Sequence, residues 1–457
     1  MKHFESIKRI TVLQLAGVGI LANIIAYAYV WYKYYIFDVQ VVFWRRGNWV
    51  VVGIYAILIM FFMMTYGGNK IGYLKPFEVF LSQVLAILAS NLITYLQLSV
   101  MVVWFANIKP IGLMTLAQIL FALFWVYLSN FIYRNVFPPR MLLLIHGDHD
   151  TEDIKRKFDS RKDRYVISEQ ININAGIKVI EDKILERFDG VILWDLDMTD
   201  RNELIKYCYG KSIRVYLMPK IPDVIIMGAD RMNLFDSQIL LTREYAMTIE
   251  QRFIKRLIDI VCSFLLIIIT SPIMLITAII VKLYDGGPVF YKQVRLTKNN
   301  KEFKIIKFRS MRVDAEKIGG AQLAKKDDKR ITPIGKFIRA VRIDELPQLF
   351  NILKGDMTFI GPRPERPEIA AKYIEEMPEF AYRTKVKAGL AGYAQVYGKY
   401  NTTPYDKLKL DLTYIENYTT WLDIKLMLLT LKVLFLPDST EGIEEGQTTA
   451  SKSSKGN

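Results

Sequence analysis

Two adjacent carboxylates, Asp344 and Glu345, open the segment Asp344-Glu345-Leu346-Pro347-Gln348, and a proline-framed arginine follows within one helix length in Gly361-Pro362-Arg363-Pro364. Carboxylates close to a rigid guanidinium suit phosphate chemistry, because an arginine fork can hold two phosphate oxygens while a carboxylate attacks or binds metal. Elimination points the same way. His3, His146 and His149 are the only histidines, Cys208 and Cys262 the only cysteines, so the chain after Cys262 offers neither imidazole nor thiol. Polar chemistry there falls to carboxylates, hydroxyls and oxygen-held metal ions, which favours magnesium and polyphosphates over zinc or thiol catalysis.

Basic residues recur between Lys292 and Arg312, interleaved with Phe303, Ile305, Ile306 and Phe308. The alternation is strand-like and puts Lys307 and Arg309 on one face. Such a face can be a solvated stripe or a collar drawn to acidic lipid. It can equally bind pyrophosphate, since Arg330, Arg339 and Arg342 precede the acidic pair. From Asp344 to Lys354, apolar residues fall at helical spacing, with Pro347 in the first turn and Gly355 just past the end. Asp344 can therefore be an N-cap and Glu345 a first-turn carboxylate favoured by the macrodipole. Neighbours on a helix point about 100° apart, so a chemical role would split the pair: one attacks, the other holds metal. Gly389, Gly392 and Gly398 bracket Tyr393, Gln395 and Tyr397, a loop on which a nucleotide base can stack.

The elements that must carry these residues are partly membranous. The chain has 457 residues, 52% of them apolar, and a mean hydropathy of +0.17, which is high for a soluble protein. Apolar runs from Thr11 to Val30, Trp49 to Tyr66, Val79 to Phe105 and Ile111 to Tyr133 predict four transmembrane helices within 1–137, with both ends of the bundle in the cytoplasm. Between 138 and 248, short apolar runs at Met141 to Ile145, Gly190 to Trp194 and Arg214 to Met218 alternate with charged stretches, as in a parallel α/β domain. The G-x-G-x-x-G fingerprint is absent from it. Ile260 to Val281, within 249–284, is long enough to span a bilayer but is interrupted by Ser271-Pro272 and flanked by positive charge on both sides, Arg252, Lys255 and Arg256 before it and Lys282, Lys292 and Arg295 after it. Either a fifth span with a proline kink or a helix-break-helix that re-enters one leaflet satisfies it. Residues 285–437 form a compact region, and 438–457 are expected to be disordered. Two cysteines fit a reducing compartment, and a net charge of +15 fits anionic partners.

The order K-F-R-S-M at Lys307 to Met311, D-E-L-P-Q at Asp344 to Gln348, N-I-L-K-G-D-M at Asn351 to Met357, G-P-R-P-E at Gly361 to Glu365 and G-Y-A-Q-V-Y-G at Gly392 to Gly398 resembles the bacterial sugar transferase family, the monotopic polyprenyl-phosphate phosphoglycosyl transferases. The resemblance covers about Phe253 to Leu436, and the segments ahead of it look like those of long members that begin capsule, exopolysaccharide or O-antigen synthesis. It implies a membrane α-helical bundle, a degenerate α/β Rossmann-like domain, and an α/β catalytic domain rich in amphipathic helices and anchored by a re-entrant helix that breaks at Ser271 and Pro272. The implied reaction takes a UDP-sugar and undecaprenyl phosphate to undecaprenyl-diphospho-sugar and UMP on the cytoplasmic face of the bacterial plasma (inner) membrane. In that scheme Asp344 forms a covalent phosphosugar intermediate and Glu345 helps hold Mg²⁺. Lys307, Arg309, Arg339 and Arg363 bind phosphate oxygens, and Gln395 sits near the nucleotide.

Glucose or galactose is the expected sugar, with N-acetylated and deoxy sugars open, and a homodimer is expected for the long members. Two positions depart from the family pattern: Tyr397 and Lys399 stand where many members carry Asn and Arg, and Arg342 precedes Ile343 in place of Ser or Thr. Membrane lipids are implied partners. No nucleic acid is, since no nucleic-acid fold signature is present. The alternative reading is a membrane-anchored binding or assembly protein without catalysis; a transporter is disfavoured by the scarcity of charge in the apolar runs.

Overall fold

The computed structural model describes residues 2–39, 45–242, 246–313, 330–398 and 402–436. Lys399 and the tail expected to be disordered, 438–457, lie outside the described residues. The chain divides into two compact units, Met1–Pro219 and Lys220–Asn457.

The first unit begins with α1 (Lys2–Val30), which runs into a π-helical turn at Trp31–Tyr35, followed by α2 (Arg45–Tyr66), α3 (Pro76–Val102) and α4 (Ile108–Val136). Each is long and apolar enough to cross a bilayer. Where apolar side chains gain little by leaving lipid, polar contacts help choose the partner helices. Asn91 donates to Thr115 and Gln118 (both 2.8 Å), and Tyr55 donates to Asn91 (3.0 Å), which joins α2, α3 and α4.

Strands β1 (Arg140–His146), β2 (Tyr165–Asn172), β3 (Gly190–Trp194) and β4 (Arg214–Leu217) form a parallel sheet in the order β2-β1-β3-β4, connected through α5 (Glu152–Asp159), α6 (Ile177–Arg187) and α7 (Met198–Gly210). The three apolar runs of the sequence are β1, β3 and β4. The sequence gives no comparable run for β2, because this edge strand is only half-buried and carries Ser168, Glu169 and Gln170. At the end of β1, Gly147 packs so closely on β3 that an added Cβ would lie 2.3 Å from the Asp195 carbonyl oxygen.

The second unit opens with α8 (Ile221–Met227) and the antiparallel hairpin β5 (Asp230–Leu234) and β6 (Ser237–Leu241), which is exposed over nearly its whole length. A single long helix follows, α9 (Ile249–Asp285), capped at its start by Thr248 and Gln251. Then come the antiparallel pair β7 (Phe290–Leu296) and β8 (Glu302–Phe308), α10 (Pro333–Ala340), a 3-10 turn at Ile343–Glu345, α11 (Gln348–Lys354), β9 (Thr358–Ile360), α12 (Pro367–Glu376) and a 3-10 run at Pro378–Lys385. The unit ends with β10 (Gly389–Ala391), parallel to β9, and α13 (Tyr393–Tyr397), α14 (Pro404–Glu416) and α15 (Thr420–Val433). Leu349, Ile352, Met357, Leu408, Leu412 and Leu426 form its core, which Ile221 and Val224 of α8 and Met247 ahead of α9 join.

Helix α9 is inside out. Lys255, Asp259 and Ser263, at four-residue spacing, are buried, while Phe253, Leu257, Ile260, Val261 and Phe264 are exposed. A helix that turns charge inward and apolar residues outward belongs where lipid replaces water. Pro272 leaves the Ile268 carbonyl without its usual N–H partner, and Ser271 Oγ donates to that oxygen (2.8 Å). With the orphan acceptor satisfied, the helix runs on from Ile249 to Asp285, without the interruption in helical structure expected at Ser271 and Pro272.

Candidate active site

The acidic pair is displayed on a 3-10 turn and not on the helix that the spacing predicts. Arg342 adopts a left-handed backbone (φ 59°), turning the chain after α10 so that Ile343–Glu345 forms its own turn before Pro347 caps α11. Such a conformation costs a β-carbon-bearing residue about 1 kcal/mol, and here it swings Glu345 towards β8. Asn351 of α11 fixes that strand opposite, accepting from Ile306 N (3.0 Å) through its side-chain oxygen and donating to Lys304 O (2.9 Å). Lys307, next along β8, donates to Glu345 Oε1 (2.9 Å).

The arginine loop arrives from β9. Gly361 N donates to Ala391 O (2.9 Å), and Pro362 O accepts from Gly389 N (2.9 Å), so the loop extends the β9–β10 pairing. Its far side is held by Arg383, a residue without any sequence signal. The buried guanidinium pairs with Asp411 (2.6 Å), reaches Glu365 (3.5 Å) and donates to the Arg363 carbonyl (3.2 Å). Arg295 adds a bond to Pro364 O (3.1 Å). With its backbone tied down on both sides, Arg363 lies with Nη2 3.8 Å from Glu345 Oε1, and Arg342 Nη1 is 3.9 Å from the same atom.

The two carboxylates are thus differentiated. Burial alone would raise Glu345, but Lys307, Arg363 and Arg342 outweigh it and pull its carboxyl down to about 2. Asp344 is buried too; burial and the charge of Glu345 raise its carboxyl, against the pull of Lys307, Arg339 and Arg342. Asp344 makes no side-chain hydrogen bond among the described residues. One carboxylate is clamped and firmly ionised; its neighbour is unclamped and more basic than usual, as a nucleophile should be.

Of the residues predicted from sequence, Lys307, Arg339 and Arg363 gather with Asp344 and Glu345. Arg309 does not. Its guanidinium pairs with Asp285 and bonds the Val281 carbonyl (3.5 Å) at the end of α9, while Nη1 is buried against Gly287 with no partner among the described residues. Gln395 lies in α13, its amide donating to Leu390 O (3.3 Å) and its Oε1 buried over Gly392 without a partner among the described residues. Ser271 and Pro272 sit mid-way along α9.

No group of three His, Cys, Asp or Glu side chains that could hold a metal occurs among the described residues. A hard cation taken up by a single protein carboxylate and the oxygens of a phosphorylated substrate is nonetheless compatible with this set. Magnesium is commonly held by one or two carboxylates, waters and phosphates, and Glu345 is ionised as a ligand must be.

The site thus gathers two buried carboxylates and several fixed cations in the unit that carries the long apolar helix α9. The family model described as "Bacterial sugar transferase" matches residues 250–437. The chain is 38% identical over 192 residues to EpsL of Bacillus subtilis, an uncharacterized sugar transferase, covering 42% of this chain and 91% of that one. It is 38% identical over 257 residues to the UDP-N-acetylgalactosamine-undecaprenyl-phosphate N-acetylgalactosaminephosphotransferase of Aeromonas hydrophila, covering 54% of this chain and 59% of the relative. It is 32% identical over 283 residues to the undecaprenyl-phosphate galactose phosphotransferase of Salmonella typhimurium, covering 55% and 58%. The match therefore spans under two thirds of the length of these last two. The chain belongs to the bacterial sugar transferase family.

Proposed function

We propose that the protein transfers a sugar-1-phosphate from a UDP-sugar to undecaprenyl phosphate, releasing UMP. The observation that carries this reading is the division of labour in the acidic pair: Asp344 buried, unclamped and raised, beside a Glu345 held at 2.9 Å by Lys307 and faced by Arg363. In the first step an Asp344 carboxylate oxygen attacks the sugar-proximal phosphorus. The bond from that phosphorus to the bridging oxygen breaks, UMP leaves with the oxygen, and an acyl-phosphate sugar remains on Asp344. In the second, an oxygen of the lipid phosphate attacks the same phosphorus and frees the carboxylate.

Lys307, Arg339 and Arg363 supply the fixed positive field for the diphosphate, which costs no reorganisation during the reaction. Glu345 would hold magnesium, which when bound neutralises charge on a diphosphate. Arg309, bonded to Asp285, acts in this reading by anchoring α9, while Gln395 keeps an unpartnered acceptor for the nucleotide.

The contacts at the two ends of α9 favour a helix that turns back at Ser271-Pro272 once in the bilayer. Lys255 and Asp259 near its start, and Val281 and Asp285 near its end, are all held within the second unit. A straight helix of 37 residues extends about 55 Å and would carry its ends to opposite faces of a hydrocarbon core of about 30 Å. A helix that turns back keeps both on one face, here the cytoplasmic face of the bacterial plasma membrane, at the depth of a lipid phosphate. The parallel sheet of β1 to β4 is a Rossmann-like accessory in this reading. Homodimer formation fits the hairpin, whose Phe235, Leu240 and Leu241 are exposed among the described residues.

The test is UMP release from full-length protein in nanodiscs with undecaprenyl phosphate, Mg²⁺ and a panel of UDP-linked glucose, galactose, N-acetylgalactosamine and N-acetylglucosamine. Release from one donor, lost in Asp344→Asn, is the expected outcome. Turnover retained in Asp344→Asn removes Asp344 as nucleophile.

A further inference from the structure

Three side chains on one face of α9 reach both arms of the candidate site. Arg256 donates to the last carbonyls of α11, Ile352 O and Leu353 O, both at 2.7 Å. Those carbonyls end the helix whose N-terminal side carries Asp344 and Glu345, and a guanidinium there also complements the negative end of the helix. Lys255 donates to the Ile360 carbonyl (2.9 Å), immediately ahead of Gly361-Pro362-Arg363, and is fixed by Asp423 (2.5 Å) and Tyr414 (3.1 Å). Asp259, one turn on, accepts from Thr358 Oγ1 (2.9 Å) and Phe359 N (3.1 Å) in β9. Lys255 and Asp259 are 8% and 3% exposed, so these bonds are shielded from water. One arm ends in the acidic pair and the other in Arg363; they meet at the 3.8 Å contact between Arg363 and Glu345.

We infer that Lys255, Arg256 and Asp259 are positioning residues that make the membrane helix a structural member of the active site, setting the separation between the acidic pair and the arginine loop. A helix needing only to anchor the unit in lipid has no use for five polar bonds to the two arms of the site, and its apolar outer face supplies the anchoring. Reactive groups displaced by about 1 Å lose on the order of a hundredfold in rate. Loss of one arm should therefore appear in turnover before it appears in donor binding, which the cations of the site provide.

The inference rests on the transfer reaction proposed above, and its test separates the two. Full-length wild type, Arg256→Gln, Arg256→Lys and Lys255→Met in nanodiscs are compared by UMP-release kinetics and by hydrogen–deuterium exchange. Arg256→Gln is expected to lower kcat at least tenfold with donor KM within twofold, and to speed exchange in 348–354. Lys255→Met is expected to speed exchange in 358–363. Arg256→Lys keeps one donor and the charge, and should recover part of kcat even where Arg256→Gln folds poorly. A merely structural role moves the thermal midpoint and leaves kcat per folded protein unchanged; that result, or unaltered exchange in both arms, overturns the inference. Should the wild type release no UMP from any donor, the transfer reading fails, and the exchange results still decide whether α9 holds the two arms.

Discussion

Replacing Glu345 by glutamine tests whether the cations around that carboxylate stabilise it as their geometry implies. Its carboxyl is lowered from 4.5 to about 2, which at about 1.4 kcal/mol per pH unit corresponds to about 3 kcal/mol favouring the ionised folded form. The side chain is 15% exposed, so screening removes little of this. Part is returned elsewhere, because the charge of Glu345 helps to raise Asp344, and glutamine relieves that neighbour. A net cost of about 1–3 kcal/mol at neutral pH follows, or roughly 3–10 °C in thermal midpoint for a domain of this size. The folded-state pKa lies below the unfolded value, so the stabilisation is complete above about pH 4.5 and is lost as pH falls through about 2. Differential scanning fluorimetry of both proteins in nanodiscs should give a constant gap from pH 5.5 to 8 that narrows only in strong acid. Equal midpoints at pH 7, or a gap that widens on acidification, refutes the reasoning. The same substitution should move the acid limb of kcat/KM to lower pH, because Asp344 ionises more readily once its charged neighbour is gone.

Asp344→Asn should lower UMP release by at least about a thousandfold while leaving the thermal midpoint equal to or above that of the wild type, since the ionised carboxylate is disfavoured by burial; a midpoint drop matching the activity loss would mean a structural role. In the wild type, turnover should rise with pH through the raised Asp344 carboxyl, as attack needs the ionised form, and a rate that falls over that range contradicts the nucleophile assignment. Arg383→Met strands Asp411, 1% exposed, and should cost about 3–5 kcal/mol, most of it recovered in the Arg383→Met/Asp411→Leu double variant; chemical denaturation reads both. Single cysteines introduced as Arg252→Cys and Lys282→Cys, in a chain whose Cys208 and Cys262 are replaced by serine, should both label from one side of sealed vesicles, and labelling from opposite sides rules out re-entry.

The sequence was most legible where the chemistry is local. Asp344, Glu345, Lys307, Arg339 and Arg363 lie in short stretches whose composition alone suggests phosphate, and the fold brings them together. What holds them was hidden, because each support joins residues far apart in the chain: Arg383 to Asp411 across 28 positions, Arg256 to Ile352 across 96, Lys255 to Asp423 across 168. Lys255 and Arg256 read from sequence as positive flanks of a membrane segment, a role in which their side chains would face headgroups. Burial gives them to carbonyls and a carboxylate instead, and only the inside-out stripe Lys255, Asp259 and Ser263 hints at it. Arg309 shows the limit from the other side. Strand alternation places it on a face with Lys307, but it follows the last residue of β8, where the end of α9 offers Asp285, and that nearby carboxylate fixes the guanidinium. Periodicity specifies the direction a residue leaves the backbone; which partner it meets depends on the element that packs there, and for this site that element is the membrane helix.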